Sequence, residues 1–360
     1  MTLADIRHDL HQHPQTAGNE QYAHDTVVRH LQGLHPDKVY THVGGWGVVA
    51  VWGKESQSAT VAVRADIDAL PTGHHCGHDG HTVILMRLAE LVDARPPEHN
   101  VLLLWQPAEE TGEGSRSVLE SGILQQYNIK AFYALHNLPG YPLGTVVLCP
   151  RTFAAASTGV LYHLDGRETH ASTPEMGLNP GLAVAEIVQR FAAFNTHSAS
   201  DEEFRQSTLI CVHLGTPAFG TSAGHAEVMF TLRAFSNSTM EHLLAEANQT
   251  VDDIAARYGL TVARALKEPF RATENNGDHV ERIAQAAEEI PLRVRYQIEP
   301  FRWSEDFAEY LLQYPGAMFG IGSGEHHPEL HHPDYDFPDG LVEPAAQLFL
   351  RLVADPFPKK

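Results

Sequence analysis

Cysteine is scarce in this sequence. The 360 residues include only three cysteines, Cys76, Cys149 and Cys211, which lie far apart along the chain. An odd number of scattered thiols does not predict a disulfide framework, so each cysteine has to be interpreted from its neighbours. Only Cys76 has neighbours that suggest chemistry, because His78 and His81 follow it closely.

Basic residues and long apolar runs are also few. Lys and Arg number 25 against 45 Asp and Glu, which gives a formal net charge of −20. The electrostatic field of so negative a protein repels phosphate backbones and anionic lipid headgroups. The densest apolar run, Val101–Trp105, is far shorter than the ~20 residues that span a bilayer, and residues 1–8 contain no signal-peptide core. We therefore expect a soluble, cytoplasmic protein that binds neither nucleic acid nor membranes.

Hydrophobic residues make up 43% of the chain, enough for one large core or two smaller ones, which excludes disordered and fibrous classes. Short β-rich runs alternate with helical patterns in the first part of the chain and again near its end. This alternation predicts an α/β domain whose mixed, largely parallel sheet is covered by helices. The predicted strands are Trp46–Trp52, Thr60–Arg64, Val101–Gln106, Ala131–Leu135 and Ala317–Ile321, and the predicted helices are Thr82–Ala94, Ser115–Gln126 and Val342–Val353.

The middle of the chain has a different pattern. Strand and helix patterns follow the order β-α-β-β-α-β, which is typical of an α+β ferredoxin-like unit. The later segments return to the earlier pattern, so we predict a domain of residues 157–271 inserted into a catalytic domain of residues 1–156 and 272–360. The elements predicted in the insert are Val160–Leu164, Pro180–Phe194, Thr208–Leu214, Ala226–Ala234, Thr239–Tyr258 and Leu260–Ala265.

Histidine, in contrast, is abundant, with 24 residues, and neutral imidazole is the commonest protein metal ligand. The segment Cys76–His81 lies between a predicted strand and a predicted helix, where the functional groups of open α/β sheets collect. Cys76 and His78 alternate around a glycine, so both can face one cation while Asp79 caps the helix. The alternative is a buried structural cysteine with capping or solvated polar residues.

Three further polar segments follow apolar strands. Glu109 and Glu110 follow Val101–Gln106, and adjacent carboxylates repel each other unless one binds a cation and the other faces a metal-held water as a general base. A solvated acidic turn is the alternative. His136 and His331 each follow another strand. Any single histidine of this kind more often has a structural role. It is improbable, however, that four such polar segments would follow successive strands of one sheet by chance.

Five of these side chains can be counted as metal ligands. They are Cys76, His78, Glu110, His136 and His331. Five ligands exceed what one tetrahedral structural site requires, and the count leaves Glu109 unused, so it favours two metal ions that share a bridging water or hydroxide. Thiolate, imidazole and carboxylate together favour Zn²⁺ or Mn²⁺ over Mg²⁺ or Ca²⁺, without deciding between the first two.

The order of these segments resembles the motif series of the M20 metallopeptidase family. The segments are Asp66–Pro71, Cys76–His81, Gln106–Glu110, Leu135–Asn137, Gly166–Pro174, Ser304–Phe307 and Leu330–His331. Within the family they look like the amidohydrolase branch of aminoacylases, hippurate hydrolases, auxin-conjugate hydrolases and N-acetyl-diaminopimelate deacetylases. The opening segment Ile6–Pro14 fits the same branch, and the resemblance covers essentially the whole chain.

The resemblance implies roles for particular residues. It places the family's metal ligands on the five residues already counted and its general base on Glu109. In the family the inserted domain closes over the substrate and often forms a homodimer, and a Gly-x-x-x-His-Ala segment supplies a hydrogen bond to the developing oxyanion. His170 takes that place here. Arg233 is a candidate for binding the substrate carboxylate, with a structural salt bridge as the alternative.

Two departures from the family bear on specificity. Only Thr72–His75 separates Pro71 from Cys76, where relatives usually carry a considerably longer loop beside the active site. The segment Gly220–Ala223 lacks the Asn and the Pro that relatives commonly show in the inserted domain. The substrate is therefore less well defined by the sequence than the reaction type.

The function implied by the resemblance is hydrolysis of the amide bond of a small molecule, an N-acyl amino acid. A dipeptidase, a carbamoyl-amide hydrolase or an N-acetyl-diaminopimelate deacetylase is the nearest alternative. Dinuclear phosphoester hydrolysis uses similar ligands, but nothing in the sequence resembles a phosphate-holding Arg/Lys cluster. A non-catalytic metal-binding relative is a third class, and the retained Glu109 argues against it.

Overall fold

The computed structural model describes residues 1–53, 58–196 and 204–355. The strands are β1 Lys38–Val43, β2 Gly47–Trp52, β3 Ala59–Asp66, β4 Asn100–Gln106, β5 Asn128–Pro139, β6 Val146–Leu148, β7 Ala156–Asp165, β8 Thr169–His170, β9 Arg205–Leu214, β10 Thr221–Ser222, β11 His225–Ala234, β12 Thr261–Phe270, β13 Val294–Tyr296 and β14 Gly316–Gly324. The helices are α1 Leu3–Gln12, α2 Gln21–Leu31, α3 His78–Ala94, α4 Gly114–Glu120, α5 Gly181–Ala192, α6 Asn237–Tyr258, α7 Gly277–Glu289, α8 Ala308–Leu311 and α9 Val342–Ala354. None of the helices in the described part of the chain is both long enough and apolar enough to cross a bilayer.

The chain divides into two compact units. Unit 1 comprises Met1–Phe153, Thr273–Ile298 and Glu305–Lys360, and unit 2 comprises Ala154–Ala272 and Glu299–Ser304. The segment Glu299–Ser304 belongs to unit 2, although the sequence assigned it to the catalytic domain. The reason is backbone pairing, because the Ala155 N–H lies within hydrogen-bond distance of the carbonyl oxygens of Phe301 (2.9 Å) and Trp303 (3.0 Å).

Unit 1 is built on an eight-stranded sheet with the order β1-β2-β4-β3-β5-β14-β6-β13. The four central strands, β4, β3, β5 and β14, are parallel to one another, whereas β1, β2 and β6 introduce antiparallel pairs. This confirms the predicted α/β class with a mixed, largely parallel sheet. Because the central strands are parallel, their carboxyl ends lie along one edge of the sheet.

Helix α3 packs against this sheet and against α1 and α9. Ile84, Leu88 and Val92 recur at helical spacing on one of its faces and are at most 1% exposed. Burial of each such side chain stabilises the fold by roughly 1.5–3 kcal/mol, which holds the start of the helix firmly at the edge of the sheet.

Unit 2 contains a four-stranded antiparallel sheet with the order β12-β7-β11-β9. Its strands and helices follow the predicted β-α-β-β-α-β order. Val160, Tyr162 and Val228 are buried with side chains of α5 and α6, which cover that face of the sheet. Residues alternating with these project from the opposite face, here called the outer face.

One predicted helix is shorter than expected. The helix predicted over Ser115–Gln126 ends at Glu120, and a separate 3₁₀ turn follows at Leu124–Gln126. Gly122 has φ of +71°, a left-handed conformation that glycine adopts without strain and that commonly ends helices. The spacing of apolar residues continues across this glycine. The periodicity alone therefore overestimated the length of the helix.

Candidate metal centre

The carboxyl ends of β3, β4, β5 and β14 bring four polar segments to one edge of the sheet in unit 1. Strand β3 pairs with β4 so that Asp66 lies beside Gln106, and β14 pairs with β5 so that Gly320 lies beside His136. His136 lies within β5, which continues to Pro139 beyond the predicted end at Leu135, whereas the other four candidate ligands and Glu109 lie in segments that follow β3, β4 and β14. The parallel register is therefore what gathers residues that are far apart in the sequence.

Cys76 and His78 flank a glycine at the start of α3. Gly77 has φ of +93°, and a Cβ atom built on it would lie 2.7 Å from Asn137 Oδ1, so both conformation and space require glycine. His78 is fully buried, and its Nδ1 donates to the Asp68 carbonyl oxygen at 3.0 Å. In the neutral ring that bond leaves the lone pair on Nε2, 3.9 Å from Glu110 Oε1. Burial lowers the pKa of His78, but the charges of Asp66 and Cys76 outweigh burial and raise this pKa well above its usual range, so a metal ion at Nε2 would displace a proton.

His136 approaches Cys76 from β5, and His331 approaches it from the loop after β14. His136 Nδ1 donates to the Asn137 carbonyl oxygen at 2.9 Å, and its Nε2 lies 3.6 Å from Cys76 Sγ. His331 has φ of +69°, and its backbone N–H donates to the His75 carbonyl oxygen at 2.8 Å, which ties the loop after β14 to the loop before α3. Burial lowers the pKa of both imidazoles, so both rings favour the neutral form that binds metals.

The five candidate ligands form two groups that share one sulfur atom. Cys76, His78 and His136 have ligand atoms within 4.8 Å of one another, and so do Cys76, Glu110 and His331. The structure thus brings together all five residues predicted as ligands.

The buried polar atoms of this cluster fit a cation. Among the described residues, His78 Nε2 and Glu110 Oε1 are buried without a hydrogen-bond partner, although they face each other. Burial raises the pKa of the Cys76 thiol to about 12 and that of Glu110 to about 7. Burial thus makes the charged forms of both groups costly, and a bound cation offsets that cost. Sulfur, nitrogen and oxygen donors together suit a transition-metal ion.

Two other polar residues of the Cys76–His81 segment contact protein groups. Gly77 and not Asp79 is the N-cap of α3, although the buried Asp79 accepts from the Gly80 N–H at 2.9 Å within the first turn. Asp79 also binds Arg7 at 3.0 Å and His11 at 2.9 Å. His81 Nδ1 lies 2.6 Å from Asp66 Oδ1, and its Nε2 accepts from the Asn137 N–H at 3.3 Å. The structure therefore distinguishes the candidate ligands Cys76 and His78 from neighbours that bind other protein groups. The sequence spacing alone could not make this distinction.

Glu109 is buried beside the cluster. Its Oε1 accepts a hydrogen bond of 3.4 Å from the backbone N–H of Asp306. Burial, together with the charges of Glu305 and Glu110, raises the pKa of Glu109 well above its usual range. The preceding residue, Ala108, has φ of +55°, and its N–H donates to Glu20 Oε1 at 2.8 Å. This turn directs Glu109 and Glu110 into different surroundings.

Two supporting residues were not identified from the sequence. The Asp68 carbonyl accepts from His78, and its Oδ2 accepts from the Glu110 N–H at 3.0 Å, so Asp68 positions two candidate ligands. Arg64 is fully buried and donates to Asp66 (2.6 Å), Glu305 (2.9 Å) and Asp306 (2.8 Å). The charged segments Asp66–Pro71 and Ser304–Phe307 were visible in the sequence, but nothing local showed that Arg64 joins them.

The two remaining predicted site residues lie in unit 2. His170 is exposed on β8, and its Nδ1 is 2.7 Å from Ser172 Oγ. Arg233, on β11, donates to the Arg302 carbonyl at 2.7 Å and to Ser304 Oγ at 3.2 Å. These contacts place Arg233 in a polar cluster. The catalytic role of His170 and the substrate-binding role of Arg233 stay predictions.

Residues 62–355 match the sequence pattern of Peptidase family M20/M25/M40. The chain belongs to this family. It is therefore a metal-dependent hydrolase that acts on amide bonds. The match spans the candidate metal ligands, Glu109 and most of both units.

Relatives align along almost the whole of this M20 chain. It is 27% identical to the N-acetylcysteine deacetylase of Bacillus subtilis, with 97% of this chain and 95% of the relative covered. It is also 27% identical to the N-acetyldiaminopimelate deacetylase of Lacticaseibacillus paracasei, with 95% and 94% covered. A solved dinuclear metal-binding M20 peptidase of Bacillus subtilis shares the fold, with a TM-score of 0.85, 24% identity and coverage of 99% and 97%.

Proposed function

We propose that this M20 enzyme hydrolyses the amide bond of N-acyl amino acids and releases an amino acid and a carboxylic acid. The observation that carries the proposal is the cluster of five donors, three of them buried, beside the separate carboxyl group of Glu109. Two relatives named as deacetylases of N-acetylated amino acids support this substrate class.

The cluster would hold two divalent ions, Mn²⁺ or Zn²⁺. Its two donor groups share the Cys76 sulfur. One group adds nitrogen atoms of His78 and His136, and the other adds an oxygen of Glu110 and a nitrogen of His331. When bound, such ions lower the pKa of a coordinated water and polarise the substrate carbonyl. His78 is held for this task by the Asp68 carbonyl, and Glu110 by the Asp68 carboxylate.

Glu109 would act as the general base. Its carboxylate takes a proton from the attacking water and then delivers that proton to the leaving amine. The buried position beside Glu305 and Glu110 raises the pKa of Glu109 and so favours retention of the proton until the amine leaves, whereas bound cations would favour the carboxylate that first accepts the proton. The Asp306 N–H holds one carboxylate oxygen in place.

Unit 2 would supply the remaining substrate contacts. His170 would donate a hydrogen bond to the developing oxyanion, and Arg233 would bind the carboxylate of the amino acid. Both assignments rest on the family motif and on residue chemistry, and each is testable by substitution. A replaced Arg233 would chiefly raise KM, whereas a replaced His170 would chiefly lower kcat.

A substrate panel tests the proposal. We expect the protein loaded with Mn²⁺ or Zn²⁺ to release amino acids from N-acetyl amino acids, including N-acetylcysteine and N-acetyldiaminopimelate. Dipeptides, N-carbamoyl amino acids and a generic phosphoester serve as competing substrates. A preference for any of these three would overturn the proposed substrate class, and Glu109→Gln under the same conditions controls for contaminating hydrolases.

A further inference from the structure

The outer face of the sheet in unit 2 carries a row of histidines around one carboxylate. In the antiparallel register, His163 on β7 lies opposite Glu227 on β11, and Glu227 lies opposite His213 on β9. Opposite residues of antiparallel strands project from the same face with Cβ atoms about 4.5–5.5 Å apart. His225 precedes Glu227 by two positions and therefore shares this face.

The side chains of this row converge on Glu227. Its Oε1 lies 3.2 Å from His163 Nδ1 and 3.9 Å from His225 Nε2, and its Oε2 lies 3.6 Å from His213 Nδ1. The donor atoms of His163, His225 and Glu227 are all within 4.8 Å of one another. In a tetrahedral zinc site with bonds of about 2.0–2.1 Å, neighbouring ligand atoms are about 3.3 Å apart. The 3.2 Å between His163 Nδ1 and Glu227 Oε1 is close to that value, whereas the 3.9 Å from Glu227 Oε1 to His225 Nε2 is longer, so the exposed His225 side chain would move toward Glu227 when an ion binds.

A second carboxylate orients one of the histidines. His225 Nδ1 lies 2.6 Å from Asp165 Oδ1, and the two residues are opposite each other in the register of β7 and β11. A carboxylate only accepts, so this contact places the proton on Nδ1 and leaves the lone pair on Nε2, the nitrogen that faces Glu227. Metal-binding histidines in proteins show this arrangement, with the second ring nitrogen donating to a carboxylate.

We propose that the outer face of unit 2 binds one divalent transition-metal ion through His163 Nδ1, His225 Nε2 and Glu227 Oε1. We call this the outer-face site. His213 steadies the other oxygen of Glu227, and Asp165 orients His225. Two imidazoles and a carboxylate select Zn²⁺ and similar ions over Ca²⁺ and Mg²⁺, which prefer oxygen ligands.

The outer-face site is accessible and separate from the candidate metal centre. The side chains of His163, His225 and Glu227 are 32%, 50% and 29% exposed, so an ion can enter from solvent. All of its residues lie in unit 2, whereas the five candidate ligands of the hydrolytic centre lie in unit 1. A bound ion would join β7 to β11 and strengthen the sheet against strand separation.

Zinc counting tests the proposal. We expect equilibrium dialysis of the full chain against Zn²⁺ to give about one ion fewer per chain for His163→Ala and for His225→Ala than for the unchanged protein. His242→Ala, which removes an exposed histidine from α6 of the same unit, should keep the full number. Ions in unit 1 contribute equally to all of these proteins. Equal zinc content in His163→Ala, His225→Ala and His242→Ala would overturn the outer-face site.

Two further measurements guard against misfolded variants. Asp165→Asn removes the orienting carboxylate but no ligand, so the affinity for Zn²⁺ should fall by about 10–100-fold without loss of the ion at saturation. Anomalous scattering from zinc-soaked crystals of the unchanged protein should show a peak bonded to His163 Nδ1, His225 Nε2 and Glu227 Oε1. The absence of that peak at saturating zinc would contradict the proposal directly.

Discussion

Glu109 and Glu110 are neighbours in the sequence, yet their carboxyl groups face different partners. Glu109 contacts the Asp306 backbone at 3.4 Å, whereas Glu110 Oε1 lies 3.9 Å from His78 Nε2. The left-handed conformation of Ala108 just before them sets this divergence. At the residue scale, substitutions of Glu109 and of Glu110 should therefore impair the enzyme in different ways.

The Glu109→Gln protein should keep its metal and lose turnover. Glutamine preserves volume and hydrogen bonding but cannot accept the proton, so kcat should fall by about 10²–10⁴-fold. Glu110→Gln should instead reduce the number of bound ions, because it removes a charged ligand. Metal content and turnover measured on both variants check this, and the opposite pattern would exchange the proposed roles of base and ligand.

Cys76 should coordinate metal as a thiolate. The Co²⁺-loaded protein should show the near-ultraviolet charge-transfer absorption of a cobalt–thiolate bond, because a bound cation deprotonates the thiol. Cys76→Ser should lose this absorption. Cys149→Ser, which changes another buried cysteine, should retain it, and equal spectra for the two variants would count against coordination by Cys76.

At the scale of elements, patterns within a short stretch were predictable and contacts between distant segments were not. The predicted strand Val101–Gln106 differs from β4 by one residue, because a continuous apolar run marks a buried parallel strand. The five ligand candidates were found because each follows a strand predicted from such a run, although His136 lies within β5, which extends to Pro139. The pairing of Arg64 with Glu305 and Asp306 joins residues more than 200 positions apart, and no local periodicity encodes it.

The start of α3 should not tolerate a side chain at Gly77. An L-residue in the left-handed conformation costs about 1–2 kcal/mol, and the added Cβ would also meet Asn137 at 2.7 Å. Gly77→Ala should therefore lower the free energy of unfolding and weaken metal binding. Gly277→Ala is the matched control, since that glycine also begins a helix but has an ordinary φ and open space around its Cβ. Urea unfolding and zinc titration of both variants measure the contrast.

Helix α7 should make stability depend on pH. His279, near its start, is buried against Tyr133, and burial lowers the pKa of its imidazole. The unfolded chain takes up this proton near pH 6.5, whereas the folded chain does so only at lower pH. The unfolded state then binds more protons, so stability should fall as pH drops below about 6.5.

Urea unfolding at pH 7.5 and pH 5.5 tests whether the free energy of unfolding falls at the lower pH. His279→Gln should show a smaller loss of stability between the two pH values than the unchanged protein, whatever its stability at pH 7.5. The control is His242→Gln, which changes an exposed helical histidine and should leave the pH dependence unaltered. If the His279→Gln protein lost as much stability between pH 7.5 and pH 5.5 as the unchanged protein, other groups would be the cause of the pH dependence.

At the scale of the whole molecule, the candidate metal centre joins segments from residue 76 to residue 331. Ions that bind only the folded chain stabilise it by mass action, by about 2.7 kcal/mol at a concentration 100-fold above Kd. Metal removal should therefore affect both stability and activity.

Chelation of the protein should abolish hydrolysis and lower Tm, and Mn²⁺, Zn²⁺ or Co²⁺ should restore both. Elemental analysis of the Cys76→Ser protein beside the unchanged protein separates ions of the candidate centre from ions bound elsewhere. Full activity after complete removal of transition metals would contradict the dinuclear assignment.

The position of β14 has a consequence for how the chain acquires its fold during synthesis. This strand lies between β5 and β6 in the sheet, although it follows β6 by more than 160 residues. At about 5–20 residues per second, a ribosome takes roughly ten to thirty seconds to cover that interval. Until β14 emerges, the nascent sheet has an open edge along β5, and Arg64 stays without its acidic partners Glu305 and Asp306. The open edge of β5 is thus exposed to pairing with other strands for as long as the inserted unit is being translated.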